Sequence, residues 1–225
     1  MNRYAIGDIH GGAKTLHFLL QQLRLGRNDR LFLLGDYIDR GPDSKGVLDI
    51  ILNLIEEGYD VRPVKGNHED MLLRNVSGQH NDYSLKWPTG WGAKALKSLG
   101  VAAAIDIPTR YLTLLESFPC LQCDEDFIFV HAGLRMDVDD PLTGTSESEM
   151  MWGELDTAYA WKLGGRKLVT GHMVKTIRQI KESLLTDHIY LDNGAFTGGR
   201  LPDMGNLVAL NLDTQEITLQ EWLDE

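Results

Sequence analysis

Five short segments hold most of the side chains able to do chemistry. They are Gly7-Asp8-Ile9-His10-Gly11, Gly35-Asp36-Tyr37-Ile38-Asp39-Arg40-Gly41, Gly66-Asn67-His68-Glu69, His131-Ala132-Gly133 and Gly171-His172. Each follows an apolar run, so a coordinating side chain stands where a strand would end. Taken singly, these residues have ordinary explanations. Asp after Gly is a turn former, and a lone His131 or His172 reads as a satisfied interior imidazole. Repetition of the same placement is what carries weight. Carboxylate, carboxamide and imidazole donors without thiolate suit manganese, iron or zinc rather than a structural zinc. Two neighbouring cations need a bridging carboxylate, for which an Asp at a central strand tip is suited. Such a pair lowers the pKa of a shared water and holds phosphate oxygens.

The elements that would position these groups are legible as apolar periodicity. Strands are expected at 3–6, 30–34 and 60–64, with helices at 15–23 and 44–57 between them. Asp8, Asp36 and Asn67 are 28 and 31 residues apart, about one strand-plus-helix unit each. That order implies a parallel sheet with right-handed crossovers. In such a sheet ligands gather beyond the carboxyl ends of the strands, so Asp8, His10, Asp36, Asn67 and His68 are expected to converge. Further helices are expected at 71–75, 92–99 and 111–117, with a surface loop over 77–88. Strands return at 127–130, 167–170, 188–192, 206–211 and 216–220, the last two antiparallel. No linker or repeat divides the chain, and one domain over residues 1–225 is expected.

The 225 residues carry 22 Lys and Arg against 33 Asp and Glu, a net charge of −11. That charge disfavours a nucleic-acid partner, which requires a basic face, and docking on anionic lipid. No apolar run is long enough to span a bilayer. Met1 to Asp8 enters a strand at once, and a cytoplasmic location is expected. Cys120 and Cys123 form a lone C-x-x-C on an extended segment that points the thiols to opposite faces, and both are expected to be free.

The ordered set GDIHG, GDYIDRGPDS, KGNHE, HAG and GHM resembles the calcineurin-like metallophosphoesterases. The likeness is to the branch of the serine/threonine protein phosphatases, the lambda phage phosphatase and the symmetrical dinucleoside-tetraphosphate hydrolases. It implies an α/β fold of two packed mixed β-sheets with helices outside, and two divalent cations, manganese first and iron or zinc otherwise. By similarity, Asp8, His10 and Asp36 would bind the first metal. Asp36 would bridge to a second, held also by Asn67, His131 and His172. His68 would be the general acid, with Asp39 orienting and charging it. Arg40 would grip the phosphate, with Asn67 nearby. A hydroxide shared by the metals would attack phosphorus directly.

The implied substrate is a phosphorylated protein, because Asp39 in GDYIDRG and Glu69 in GNHE lean toward the protein phosphatases. The alternative is a dinucleoside polyphosphate or another small phosphoester. A non-catalytic binder of phosphorylated partners is disfavoured because every implied ligand is present. The sequence leaves the oligomeric state open. His17, His80 and His188 read as bystanders, with His188 the rival of His172 for the last ligand place. Asp192-Asn193-Gly194 reads as support for the site, and Trp91 and Trp152 as packing. Two departures from the family pattern stand out. Lys65 replaces the Arg common before GNHE. In many phage and bacterial members a Trp-x-Arg supplies a second phosphate clamp, whereas here Glu154 occupies the Arg place. Arg135 and Arg178 are the candidate substitutes.

Overall fold

The side chains of the first strand alternate between two apolar environments, and this alternation sets the layering. Tyr4 and Ile6 of β1 (Arg3–Ile6), with Leu31 and Leu33 of β2 (Arg30–Leu33), face a core with the helical residues Leu16, Leu19, Val47, Leu48 and Ile51. Ala5 and Phe32 face the opposite way, toward Phe129, Val169 and Ile189 of a second sheet. Strands buried on both faces read as continuous apolar runs, as these do.

In this computed structural model residues 1–154 and 157–225 are described. The first sheet has the order β3-β2-β1-β8-β9, with β3 at Asp60–Pro63, β8 at Asn206–Asn211 and β9 at Ile217–Glu221. Its first three strands are parallel, while β8 and β9 return antiparallel. The second sheet has the order β4-β5-β6-β7: Leu121–Cys123, Phe127–Val130, Lys167–Thr170 and His188–Tyr190. Here β5, β6 and β7 are parallel and β4 is antiparallel. Helices α1 (Ala13–Leu23), α2 (Ser44–Glu56), α3 (Asn67–Ser77), α4 (Asp82–Lys86), α5 (Ala93–Leu99) and α6 (Thr109–Ser117) precede the second sheet in the chain. The short helices α7 (Pro141–Gly144), α8 (Glu147–Trp152) and α9 (Ile177–Ser183) follow within it. Met150 and Met151 of α8 pack on Ile128, Val130 and Leu168, the outer face of the second sheet. The result is the expected sandwich of two mixed sheets between helices.

Three local expectations are corrected. The helix expected from Met71 begins at Asn67, because Gly66 is extended and the Glu69 carboxylate accepts the Gly66 N–H, capping the turn. Within the expected loop 77–88, Asn81 caps α4 by accepting from the Tyr83 and Ser84 N–H groups. The unassigned helix α9 starts from a reciprocal Thr176–Gln179 cap. Cys120 is buried, Cys123 is exposed, and both are free. Among the described residues no helix is long and apolar enough to cross a membrane.

The two sheets meet at the stacked rings of Phe32 and Phe129, 3.7 Å apart at their centroids and both buried. Phe129→Ala is expected to cost about 3–5 kcal/mol. Urea unfolding should show this as a lower midpoint with an unchanged slope.

Candidate active site

The segments that follow β1 and β2 are joined through their backbones before any side chain is considered. The Asp36 carbonyl accepts the Ile9 and His10 N–H groups, and the Tyr37 carbonyl accepts that of Gly11. In return Gly41 N–H donates to the His10 carbonyl and Asp43 N–H to that of Gly11. Glu69, fully buried, locks the third segment to the second. Its carboxylate accepts the N–H groups of Gly66, Asp36, Tyr37 and Ile38 at 2.9–3.3 Å. Sequence reasoning assigned no such role to Glu69. Its place three residues after Gly66, at a helix start, was the available signal.

Tight backbone packing at this point has a conformational cost. Five of the eight non-glycine residues with positive φ among the described residues are His10, Asp36, Asp39, Arg40 and His172. Such left-handed positions cost about 1–3 kcal/mol each and persist where surrounding structure enforces them. A side chain at Gly66 would collide with Asp36, and one at Gly171 with Asp8. Glycine at these two places is what lets the carboxylates approach the neighbouring strand ends.

All six expected metal-binding side chains converge. Asp8, Asp36 and Asn67 come from the ends of β1, β2 and β3, and His131 and His172 from the ends of β5 and β6. His131 Nε2 is 2.8 Å from Asn67 Oδ1 and 3.4 Å from Asp36 Oδ1. His172 Nδ1 is 3.2 Å from both Asn67 Oδ1 and His131 Nε2. On the other side of Asp36, Oδ2 lies 3.6 Å from His10 Nε2 and 3.8 Å from His68 Nε2. The His172 backbone N–H donates to Asp8. Asp36 therefore belongs to two groups whose donor atoms lie within 4.8 Å of one another, His10–Asp36–His68 and Asp8–Asp36–His131. This sets Asp8 with His131 where the resemblance implies Asp8 with His10, and brings His68 beside His10.

Ring orientation is set from behind. His131 Nδ1 donates to the Leu34 carbonyl at 2.7 Å and His10 Nδ1 to that of Ile38 at 3.2 Å. Each leaves Nε2 as a lone pair facing the cluster, the arrangement of an imidazole prepared to ligate. Electrostatics agree with a cation site. Burial lowers the pKa values of His10, His131 and His172, the last to about 4, which keeps the rings neutral. Burial, with Asp192 and Asp36 nearby, pushes Asp8 well above the usual carboxylate range, and burial raises Asp192 to about 6. Burial opposes ionisation of Asp36 too, yet the imidazoles of His131, His68 and His10 hold it below that range. Neutral imidazoles beside crowded carboxyls form a donor set completed by positive charge. The residues fit a pair of divalent cations.

Beside this cluster His68 Nδ1 and Asp39 Oδ2 are 2.6 Å apart, and the same oxygen accepts Trp87 Nε1–H at 2.6 Å. Ser44 Oγ accepts the Asp39 N–H. Burial works to lower the His68 pKa, but the Asp36 and Asp39 carboxylates outweigh it and the imidazole is raised. Arg40 lies over the Phe196 ring at 4.3 Å, and Phe196 meets His10 edge-on at 5.0 Å. Trp87 and Phe196 were not singled out from the sequence, because an aromatic residue in a polar context has no periodicity to mark it.

Other expected residues fall elsewhere. His188 bonds Thr170 on β6, and His17 and His80 are exposed. Asp192 accepts the Gly194 N–H and adds its charge beside Asp8, a supporting position. Neither candidate for the second phosphate clamp lines the cavity that holds Arg40. Arg135 is paired with Asp137, and Arg178 with Glu182 on α9. Glu154 is exposed. Instead Lys94 and Arg200 line one cavity with Arg40. Trp152 is half-buried, and its Nε1–H donates to Asp70. Trp91 is 42% exposed, against the expectation of packing.

A family model described as calcineurin-like phosphoesterase matches residues 1–173. The chain belongs to the calcineurin-like phosphoesterase family. Within this family, it is 35% identical over 144 residues to the symmetrical bis(5'-nucleosyl)-tetraphosphatase of Pectobacterium atrosepticum, covering 63% of this chain and 46% of that one. The enzyme of the same name from Erwinia tasmaniensis is 29% identical over 183 residues, 73% of this phosphoesterase and 62% of the relative. The chain thus spans about half to three fifths of the length of these relatives. A crystal structure provisionally named a diadenosine tetraphosphatase superposes with a TM-score of 0.71 at 24% identity, covering 98% of this chain and 94% of the other. That likeness supports the phosphoesterase fold.

Glu69→Gln places an amide NH₂ against backbone N–H donors. It is expected to destabilise the protein by about 1–3 kcal/mol and to lower the manganese content of purified protein. Thermal unfolding and metal analysis of one sample check both.

Proposed function

We propose that this chain is a metal-dependent phosphoester hydrolase acting on dinucleoside polyphosphates. The observation that carries hydrolysis is the convergence of Asp8, His10, Asp36, Asn67, His131 and His172, with His68 and Arg40 at its edge. Two cations bound there would supply a water of lowered pKa and fixed positive charge for the phosphate oxygens. Arg40 grips the phosphate with its planar fork. Water oxygen adds to phosphorus, the opposite P–O bond breaks, and the leaving oxygen takes the proton from His68 Nε2. Asp39, bound to Nδ1, keeps that ring oriented and charged.

The choice of substrate reverses the order expected from sequence. Asp39 and Glu69 had favoured the protein phosphatases. Asp39 is engaged by His68 and Trp87, and Glu69 by backbone N–H groups. Those contacts serve any phosphoester, so neither residue discriminates. Two observations favour the dinucleotide. The relatives above are named for it. Arg40, Lys94 and Arg200 share with Asp224 and Glu225 a cavity of about 630 Å³, more room than one phosphate requires.

With manganese, kcat/KM for diadenosine tetraphosphate should exceed that for a phosphoserine peptide, and EDTA should abolish both. Peptide preference would reverse the assignment, and turnover in EDTA would refute the metal reading. His68→Asn should reduce kcat roughly 10²-fold or more on a poor leaving group. The raised His68 pKa keeps the acid protonated above the ordinary imidazole range, and its loss forms the alkaline limb of the rate profile. Asp39→Asn removes a carboxylate that raises that pKa, so the limb should move to lower pH. An unmoved limb would separate Asp39 from His68.

A further inference from the structure

The segment carrying Trp87 holds a second tryptophan in the opposite situation. Trp87 is fully buried beneath the His68–Asp39 pair. Its carbonyl accepts the N–H groups of Gly90 and Gly92, which closes the chain into a tight turn. That turn presents Trp91 outward, with its ring centroid 6.3 Å from that of His68. Tyr83, 52% exposed, lies 6.5 Å from Trp91 and 4.8 Å from Trp152, both pairs tilted by about 30°. Trp87 accounts for the packing of this segment, and Trp152 is fixed through Asp70. Trp91 and Tyr83 therefore form an aromatic shelf beside the proton donor, held by neighbours but not covered by them.

We propose that this shelf binds the heteroaromatic base of the departing nucleotide, a reading that rests on the dinucleoside polyphosphate substrate. His68 gives its proton to the leaving oxygen, so whatever leaves departs on the His68 side. In a symmetrical cleavage the departing half is a nucleoside diphosphate. Two phosphates and a ribose separate its base from the broken bond, which carries the base past His68 toward Trp91 and Tyr83. The charged Arg40 cavity and the shelf are also chemically distinct. Arg40, Lys94 and Arg200 suit phosphate oxygens, whereas Trp91 and Tyr83 offer π-faces. A planar base stacks on such faces with little regard to its identity.

The test compares diadenosine tetraphosphate with inorganic tripolyphosphate, which has no base, in manganese and for three proteins. The ratio of their kcat/KM values should fall about 5- to 150-fold in Trp91→Ala, the range for loss of one stacked base. The change should appear chiefly in KM for the dinucleotide, and Trp91→Phe should recover most of the ratio. Parallel loss on both substrates, or a ratio within about twofold of the parent, would overturn the shelf while leaving the substrate assignment intact. A parent enzyme that does not cleave the dinucleotide would overturn the assignment and the shelf with it.

Discussion

Asp36 is the point on which the centre depends, because a carboxylate kept ionised at 3% exposure must be surrounded by compensating groups. His10, His68 and His131 lie around it, and the His68 backbone N–H donates to Oδ1. Its own N–H is fixed by Glu69 and its carbonyl by Ile9 and His10. A buried charge is tolerated only with such pairing. The positive φ at Asp36, the glycine at position 66 and the buried Glu69 all follow from the need to hold this one side chain between neighbouring strand ends.

The same constraint explains which parts of the molecule were legible in the sequence. β1 to β3, α1 and α2 follow from apolar periodicity, and the Gly-polar pairs that end the strands place Asp8, Asp36 and Asn67. His131 and His172 obey the same rule in the second sheet, where β5 and β6 are parallel as β1 and β2 are. What escaped was local or non-local in a way periodicity does not report. α4 and α9 depend on caps at Asn81 and Thr176 that precede only five and seven helical residues.

Residues that position others were harder to see than residues that would react. Among the described residues Glu69 bonds to the centre through backbone N–H groups, and Trp87 through Asp39. Phe196 is 160 positions from Asp36 and reaches His10 and Arg40 through a turn between β7 and β8. Nothing in the spacing of these residues reports such contacts. Asp39 and Glu69, the two residues that lean toward the protein phosphatases in the sequence, are engaged by His68 and Trp87 and by backbone N–H groups, contacts that carry no mark of one substrate.

These side chains straddle the sandwich: Asp8, Asp36 and Asn67 follow strands of one sheet, and His131 and His172 follow strands of the other. Ions held among them would act as a clasp across the seam, at its rim, while Phe32 and Phe129 act within it. Whatever binds only the closed sandwich is linked to its closure by mass action. Cations bound there would make metal supply and sheet-to-sheet cohesion one equilibrium, so that starving the protein of metal would loosen its architecture.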